Sequence, residues 1–92
     1  MLIRWTSAAA DDLENISNYL IEHHPDLAED TVSRLYHALQ SLKKFPRRRR
    51  SGRARGTREL VFAPLPYIAV YRVGDEAVEI LRVYHTAQDW PG

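Results

Sequence analysis

Arg82, Tyr84 and His85, in the run LRVYHTAQDW near the end of the sequence, are residues of the kind that handle a phosphate ester. An imidazole can give or take a proton near neutral pH. A tyrosine ring can stack on an exposed base. A guanidinium presents a planar fork of donors that fits phosphate oxygens. If the protein cleaves RNA, these three are the candidate catalytic residues, and the end of a strand is a suitable place for them. The same residues also fit a surface histidine beside a half-buried tyrosine, and spacing does not choose between the two.

A second group lies in FPRRRRSGRARGTREL, which holds Arg47, Arg48, Arg49, Arg50, Arg53, Arg55 and Arg58 with no acid before Glu59. Together with Arg72 they are candidates for binding a nucleic-acid backbone or another target, since clustered arginines attract polyanions with strong salt dependence. A solvated connector, or a docking site for an acidic protein, explains the stretch as well. Four consecutive arginines cannot all face one partner. Net charge is +1 overall, but residues 1–46 hold four cations against seven acids (−3) and residues 47–92 hold nine against five (+4). That asymmetry points to a basic working surface in the second half.

Other chemistry is poorly supported. His23 and His24 are adjacent and so diverge on a helix, without the spacing of a helical metal pair. They read as a solvated helix end, and Asp11, Asp12 and Glu14 as a solvated helix face. There is no cysteine, no phosphate-binding glycine loop and no serine nucleophile motif. No metal and no cofactor is expected.

The elements that must position these groups follow from periodicity. Leu2 to Trp5 alternate weakly, as a short edge strand would. Thr6 and Ser7 offer hydroxyl caps, and Ala9, Leu13, Ile16 and Leu20 mark the apolar stripe of a helix from about Ser7 to Glu22. His23-His24-Pro25 breaks it, and proline suits the first turn of a new helix. Ala28, Val32, Leu35, Leu39 and Leu42 form the next stripe, closed by Lys43 and Lys44. The short break predicts a helical hairpin.

Beyond the arginines the period shortens to that of strands, at Glu59–Ala63, Tyr67–Val73 and Ala77–Tyr84, with Gly74-Asp75 as a turn. The expected fold is α+β: an N-terminal helical hairpin packed on a small antiparallel β-sheet, in the order β-α-α-β-β-β. A hairpin loop longer by one residue than the tightest turn would gather Ile68, Arg72, Arg82 and Tyr84 on the face away from the helices. Trp90 and Pro91 are expected to pack over the edge of the core.

With 92 residues, a single domain spanning 1–92 is expected. The beginning of the sequence has no apolar run of signal-peptide type, and no stretch approaches membrane-spanning length. The expected location is the cytoplasm, with no membrane contact.

GTRELVF…PYIAVYRVGDEAVEILRVYHTAQDW, with AADDLENISNYL before it, resembles the RelE/ParE superfamily of bacterial toxins over nearly the whole chain. The pieces that carry the likeness are the VYRV and EILRVYH strands and the FP…GR connector. The resemblance implies the toxin of a type II toxin-antitoxin module (a plasmid-stabilisation or addiction module), paired with a cognate antitoxin in a hetero-oligomer. RelE-like members cut mRNA at the ribosome, and ParE-like members poison DNA gyrase. RelE-like members place an arginine two residues before a VY pair, where this chain has Ile68. ParE-like members have an apolar residue there, and their FYRV…VEIIRVLH is close to VYRV…VEILRVYH here. The sequence therefore resembles the ParE-like branch more closely, with DNA gyrase as the implied target. Arg82 matches an arginine that RelE-like members set near the scissile phosphate, and Tyr84 and His85 match their stacking and proton-transfer positions. The alternative is a ribosome-dependent mRNA endonuclease. A third reading is a non-toxic basic binding module.

Overall fold

The chain begins as a strand because Leu2–Trp5 (β1) alternates, with Ile3 and Trp5 turned toward the core and Arg4 away from it. The computed structural model describes residues 1–44, 46, 50–52 (backbone only at 50) and 54–87. Helix α1 (Ser7–His23) starts at Thr6, whose Oγ1 accepts the Ala9 N–H at 3.0 Å. This gives an acceptor to one of the donors that the first helical turn leaves without an intrahelical partner. The helix ends one residue later than the apolar stripe indicates. The His24 N–H then donates to the Leu20 carbonyl at 2.7 Å, and α2 (Pro25–Gln40) starts with proline at its first position. Lys43 and Lys44 were expected to close this helix. Instead the α-helix gives way after Gln40 to a single tight turn of 3-10 helix at Ser41–Lys43, which still buries Leu42.

Four further strands complete the fold: β2 (Arg50–Ser51), β3 (Arg58–Val61), β4 (Tyr67–Val73) and β5 (Ala77–His85). Their spatial order is β1-β5-β4-β3-β2. The three long C-terminal strands form the expected antiparallel meander. The sheet as a whole is mixed, because β1 runs parallel to β5, with Ile3 opposite Val78 and Trp5 opposite Ile80. A parallel neighbour needs a long crossover, and the two helices provide it. Two-residue β2 has no counterpart among the expected strands, being too short to show a period.

The main core lies between helices and sheet. Ala9, Leu35, Leu39 and Leu42 meet Leu60, Tyr67, Ala69, Tyr71, Val78, Ile80 and Val83. Tyr71 is fully buried, and its hydroxyl donates to the Pro46 carbonyl at 2.5 Å, tying the start of the connector to the core. A smaller cluster of Ile68, Val70 and Tyr84, with Leu81 against it, forms on the opposite face of the sheet.

Ile68, Arg72, Arg82 and Tyr84 do share that outer face, but a longer hairpin loop is not the cause. Near the turn Arg72 pairs with Glu79. Beyond an irregularity between Val70 and Tyr71, Val70 pairs with Arg82 and Ile68 with Tyr84. Leu81 is the extra residue, and one extra residue in a strand reverses which side chains face which way.

Leu35, fully buried between the layers, carries the packing of α2. Leu35→Ala is expected to cost about 2–5 kcal/mol. Exposed Tyr36→Ala should cost less than about 1 kcal/mol. Urea unfolding of the two variants checks the contrast.

Candidate functional site

Strand β5 is bordered by β1 only as far as Ile80. Past that point, side chains from the start of α1 take over its edge. The Thr6 N–H donates to the Ile80 carbonyl at 3.0 Å, and the Thr6 hydroxyl donates to the Leu81 carbonyl at 2.9 Å. Six residues further on, Asp12 Oδ2 accepts the Val83 N–H at 2.9 Å. The same carboxylate takes two bonds from Arg82, Nε to Oδ2 at 2.7 Å and Nη2 to Oδ1 at 2.9 Å. The Asp12 side chain is only 14% exposed, so solvent screens this bidentate pair little on that side. The bond to Asp12 is the main cause that holds the Arg82 guanidinium above its ordinary value, and so fully charged. Asp12 was expected on a solvated helix face. It is instead the counter-charge of Arg82 and the cap of the β5 edge. No local pattern could have revealed this, since the partners lie 70 residues apart.

The three catalytic candidates are not gathered into one site. Arg82 reaches around the sheet edge to α1. Tyr84 is buried in the outer cluster opposite Ile68. His85 alternates to the helix side, paired across the ladder with Tyr67, their rings edge to face at 5.6 Å. The Ala87 N–H donates to His85 Nδ1 at 3.1 Å, which makes Nδ1 the acceptor nitrogen and places the ring proton on Nε2.

His85 lies on a groove of about 700 Å³ between the helical hairpin and the end of the sheet. Ile16, Leu20, Leu27, Leu65 and Val83 give it an apolar floor, and Asp12, Asn15, His24 and Thr31 add polar groups. Tyr67 also lines it. Burial first, then nearby Tyr19, raises its phenol above the ordinary value of 10.0. At the outer side of the hairpin, Ile21 and Tyr36 are exposed along a second shallow cleft with Val32.

Of the arginine candidates, Arg72 stands on the outer sheet face with Nη2 2.6 Å from Glu79 Oε1. Arg55 is exposed at the β2–β3 turn, which needs the left-handed φ of +77° at Gly56. Arg58 begins β3 and is half-buried. Arg47, Arg48, Arg49 and Arg53, the side chain of Arg50, and Trp90 and Pro91 lie outside the described residues. Among those described, no cluster of three histidines or acids is placed to hold a metal, and no helix is long and apolar enough to cross a membrane.

A helical hairpin over a sheet edged by β1 is an architecture that this chain shares with solved proteins. The family model for the ParE toxin of type II toxin-antitoxin systems, parDE, matches residues 3–90. The chain belongs to the ParE toxin family. Y4kP of Sinorhizobium fredii is 44% identical over 89 residues, 97% of this chain and 92% of its own. Toxin RelE2 of Caulobacter vibrioides is 39% identical, covering 91% of this chain and 93% of its own. A solved chain of the chromosomal ParDE TA system from P. aeruginosa superposes with a TM-score of 0.85 at 26% identity, covering 92% and 95% of the two chains. This ParE-family chain is thus a type II toxin of the RelE/ParE superfamily by sequence and by fold.

Two outcomes are expected from the site geometry. Asp12→Ala leaves the Arg82 charge and the Val83 N–H without the carboxylate, at a cost of about 1–3 kcal/mol in chemical unfolding. Asp12→Asn keeps an acceptor for Val83 and should cost less. Because the fold favours the neutral Tyr67 phenol, the unfolded chain ionises first. Stability from this group is complete below pH about 10 and declines as pH rises above it. Tyr67→Phe should flatten that alkaline decline in a stability-versus-pH series.

Proposed function

We propose that this ParE-family toxin acts on DNA gyrase, not on mRNA, and that a cognate antitoxin neutralises it in a hetero-oligomer. The observation that carries the reading is the separation of Arg82, Tyr84 and His85. A phosphoryl-transfer site needs its charge donors and its acid–base group around one reacting atom. Here Arg82 is bound by Asp12, Tyr84 is buried on one face of the sheet, and His85 sits on the other. Ile68 supports the same reading. It packs against Val70 and Tyr84, and an arginine there would bury an unpaired charge in an apolar cluster.

Two features suit the partners. The groove beside His85 and the exposed Tyr19, Ile21, Leu27 and Tyr36 form apolar surface of the kind that protein partners cover. Solved relatives include the P. aeruginosa ParDE TA system and the RelBE2 toxin-antitoxin complex of Mycobacterium tuberculosis, the latter with a TM-score of 0.63 at 27% identity. The arginines from Arg47 to Arg58 would meet an acidic antitoxin segment or the target. A second reading, a ribosome-dependent mRNA endonuclease, draws on Arg72, Arg82 and Tyr84 sharing the outer sheet face.

Pulse-labelling of induced cells tests the target. Thymidine incorporation is expected to fall within the first minutes while methionine incorporation continues, and His85→Ala should leave the arrest largely intact. Collapse of methionine incorporation first, with codon-phased cuts in translated messages, would establish the endonuclease instead. No growth arrest at all would leave only a binding module.

A further inference from the structure

The outer sheet face has the makings of a polyanion surface. Arg4, Arg72 and Arg82 project from three adjacent strands, and arginine is the side chain best suited to phosphate. Two of these cations, Arg72 and Arg82, are bonded to a carboxylate from the fold itself. Glu79 stands opposite both Arg4 and Arg72 in the strand register, and bonds Arg72 at 2.6 Å. Arg82 is held differently. Its carboxylate comes from a helix, takes two of its fork donors at once, and is itself fixed by the Val83 N–H.

We propose that Asp12 is a built-in anion that occupies the phosphate-binding fork of Arg82, and is the residue that keeps this sheet face from holding RNA. A phosphate reaching Arg82 through solvent would have to displace a carboxylate already in the bidentate geometry that the phosphate itself would use. Asp12 cannot simply turn aside, because doing so strips the β5 edge of its acceptor at Val83. The competition is therefore decided by the fold before any RNA arrives. Asp11, the neighbouring acid, is exposed and makes no such contact among the described residues, so the effect belongs to one position on α1 and not to its overall charge. The inference rests on the reading of the toxin as one that does not act on RNA.

The test is fluorescence anisotropy of a labelled single-stranded oligoribonucleotide with the full chain, across a series of salt concentrations. Asp12→Asn keeps an acceptor for Val83 and removes the charge. It should bind about tenfold more tightly at low salt, with the slope of log affinity against log salt steeper by about 0.7, the signature of one added phosphate contact. Asp12→Asn with Arg82→Gln should return both to the values of the unmodified protein. Asp11→Asn, equal in charge change, should leave the slope as it was. Arg82→Gln alone should not change the affinity, and this decides the matter if Asp12→Asn does not fold. A folded Asp12→Asn with unchanged affinity and slope, or a weakened Arg82→Gln, overturns the proposal while leaving the gyrase reading intact. Cleavage of translated messages by the unmodified protein in a ribosome-containing extract sinks both together.

Discussion

Every backbone donor and acceptor of a buried strand must find a partner, and β5 loses the strand neighbour on one of its two sides, β1, halfway along. From Ile80 onward the first turns of α1 supply what a strand would have supplied: a backbone N–H and a hydroxyl from Thr6, then the carboxylate of Asp12. Most of the architecture depends on this substitution. It fixes α1 along the edge of the sheet and directs the apolar stripe of Leu13 and Ile16 onto the core. The fork of Arg82 closes on the same carboxylate. A cap residue and a helix acid, ordinary in themselves, become the continuation of a β-ladder.

The bulge at Leu81 belongs to the same device. Before it, Ile80 faces the helices in the main core. After it, Val83 does, although the two are an odd number of residues apart. The extra residue lets β5 keep apolar side chains on the helix side along its whole length. The strand is paired with β1 in its first half and edged by α1 in its second. The consequence for chemistry is that Arg82 and Tyr84 are turned outward while His85 returns to the helix side. The parity of one strand thus separates groups that lie within four residues in the chain.

The helices, the three long strands and their order were legible in the sequence because each rests on a local period: Ala28, Val32, Leu35, Leu39 and Leu42 for α2, and the β-branched and aromatic run from Tyr67 to Val73 for β4. The outer-face grouping of Ile68, Arg72, Arg82 and Tyr84 was also legible, but the bulge that produces it was not. Hydrophobic alternation does not reveal where an extra residue is absorbed. The parallel pairing of β1 and the short β2 are matters of topology and of a two-residue contact, and neither leaves a period. At the candidate site the residue types could be read and their convergence could not. Asp12 stands among acids that look alike in sequence, and only the β5 edge, 70 residues away, sets it apart.

The division of charge along the chain has the same resolution. An acidic first half and a basic second half suggest a basic surface awaiting a partner, yet part of the imbalance is settled within the fold. Asp12 from the acidic half closes on Arg82 from the basic half, and Glu79 closes on Arg72. An arginine whose donors are taken in good geometry adds to net charge and to long-range attraction, but offers little to a ligand at contact distance. Formal charge therefore overstates the cationic surface available on the sheet. In the connector, Arg55 stands exposed at the β2–β3 turn. The sheet face that looks most like a site in the fold is thus one whose arginines, Arg72 and Arg82, already hold carboxylates of their own chain.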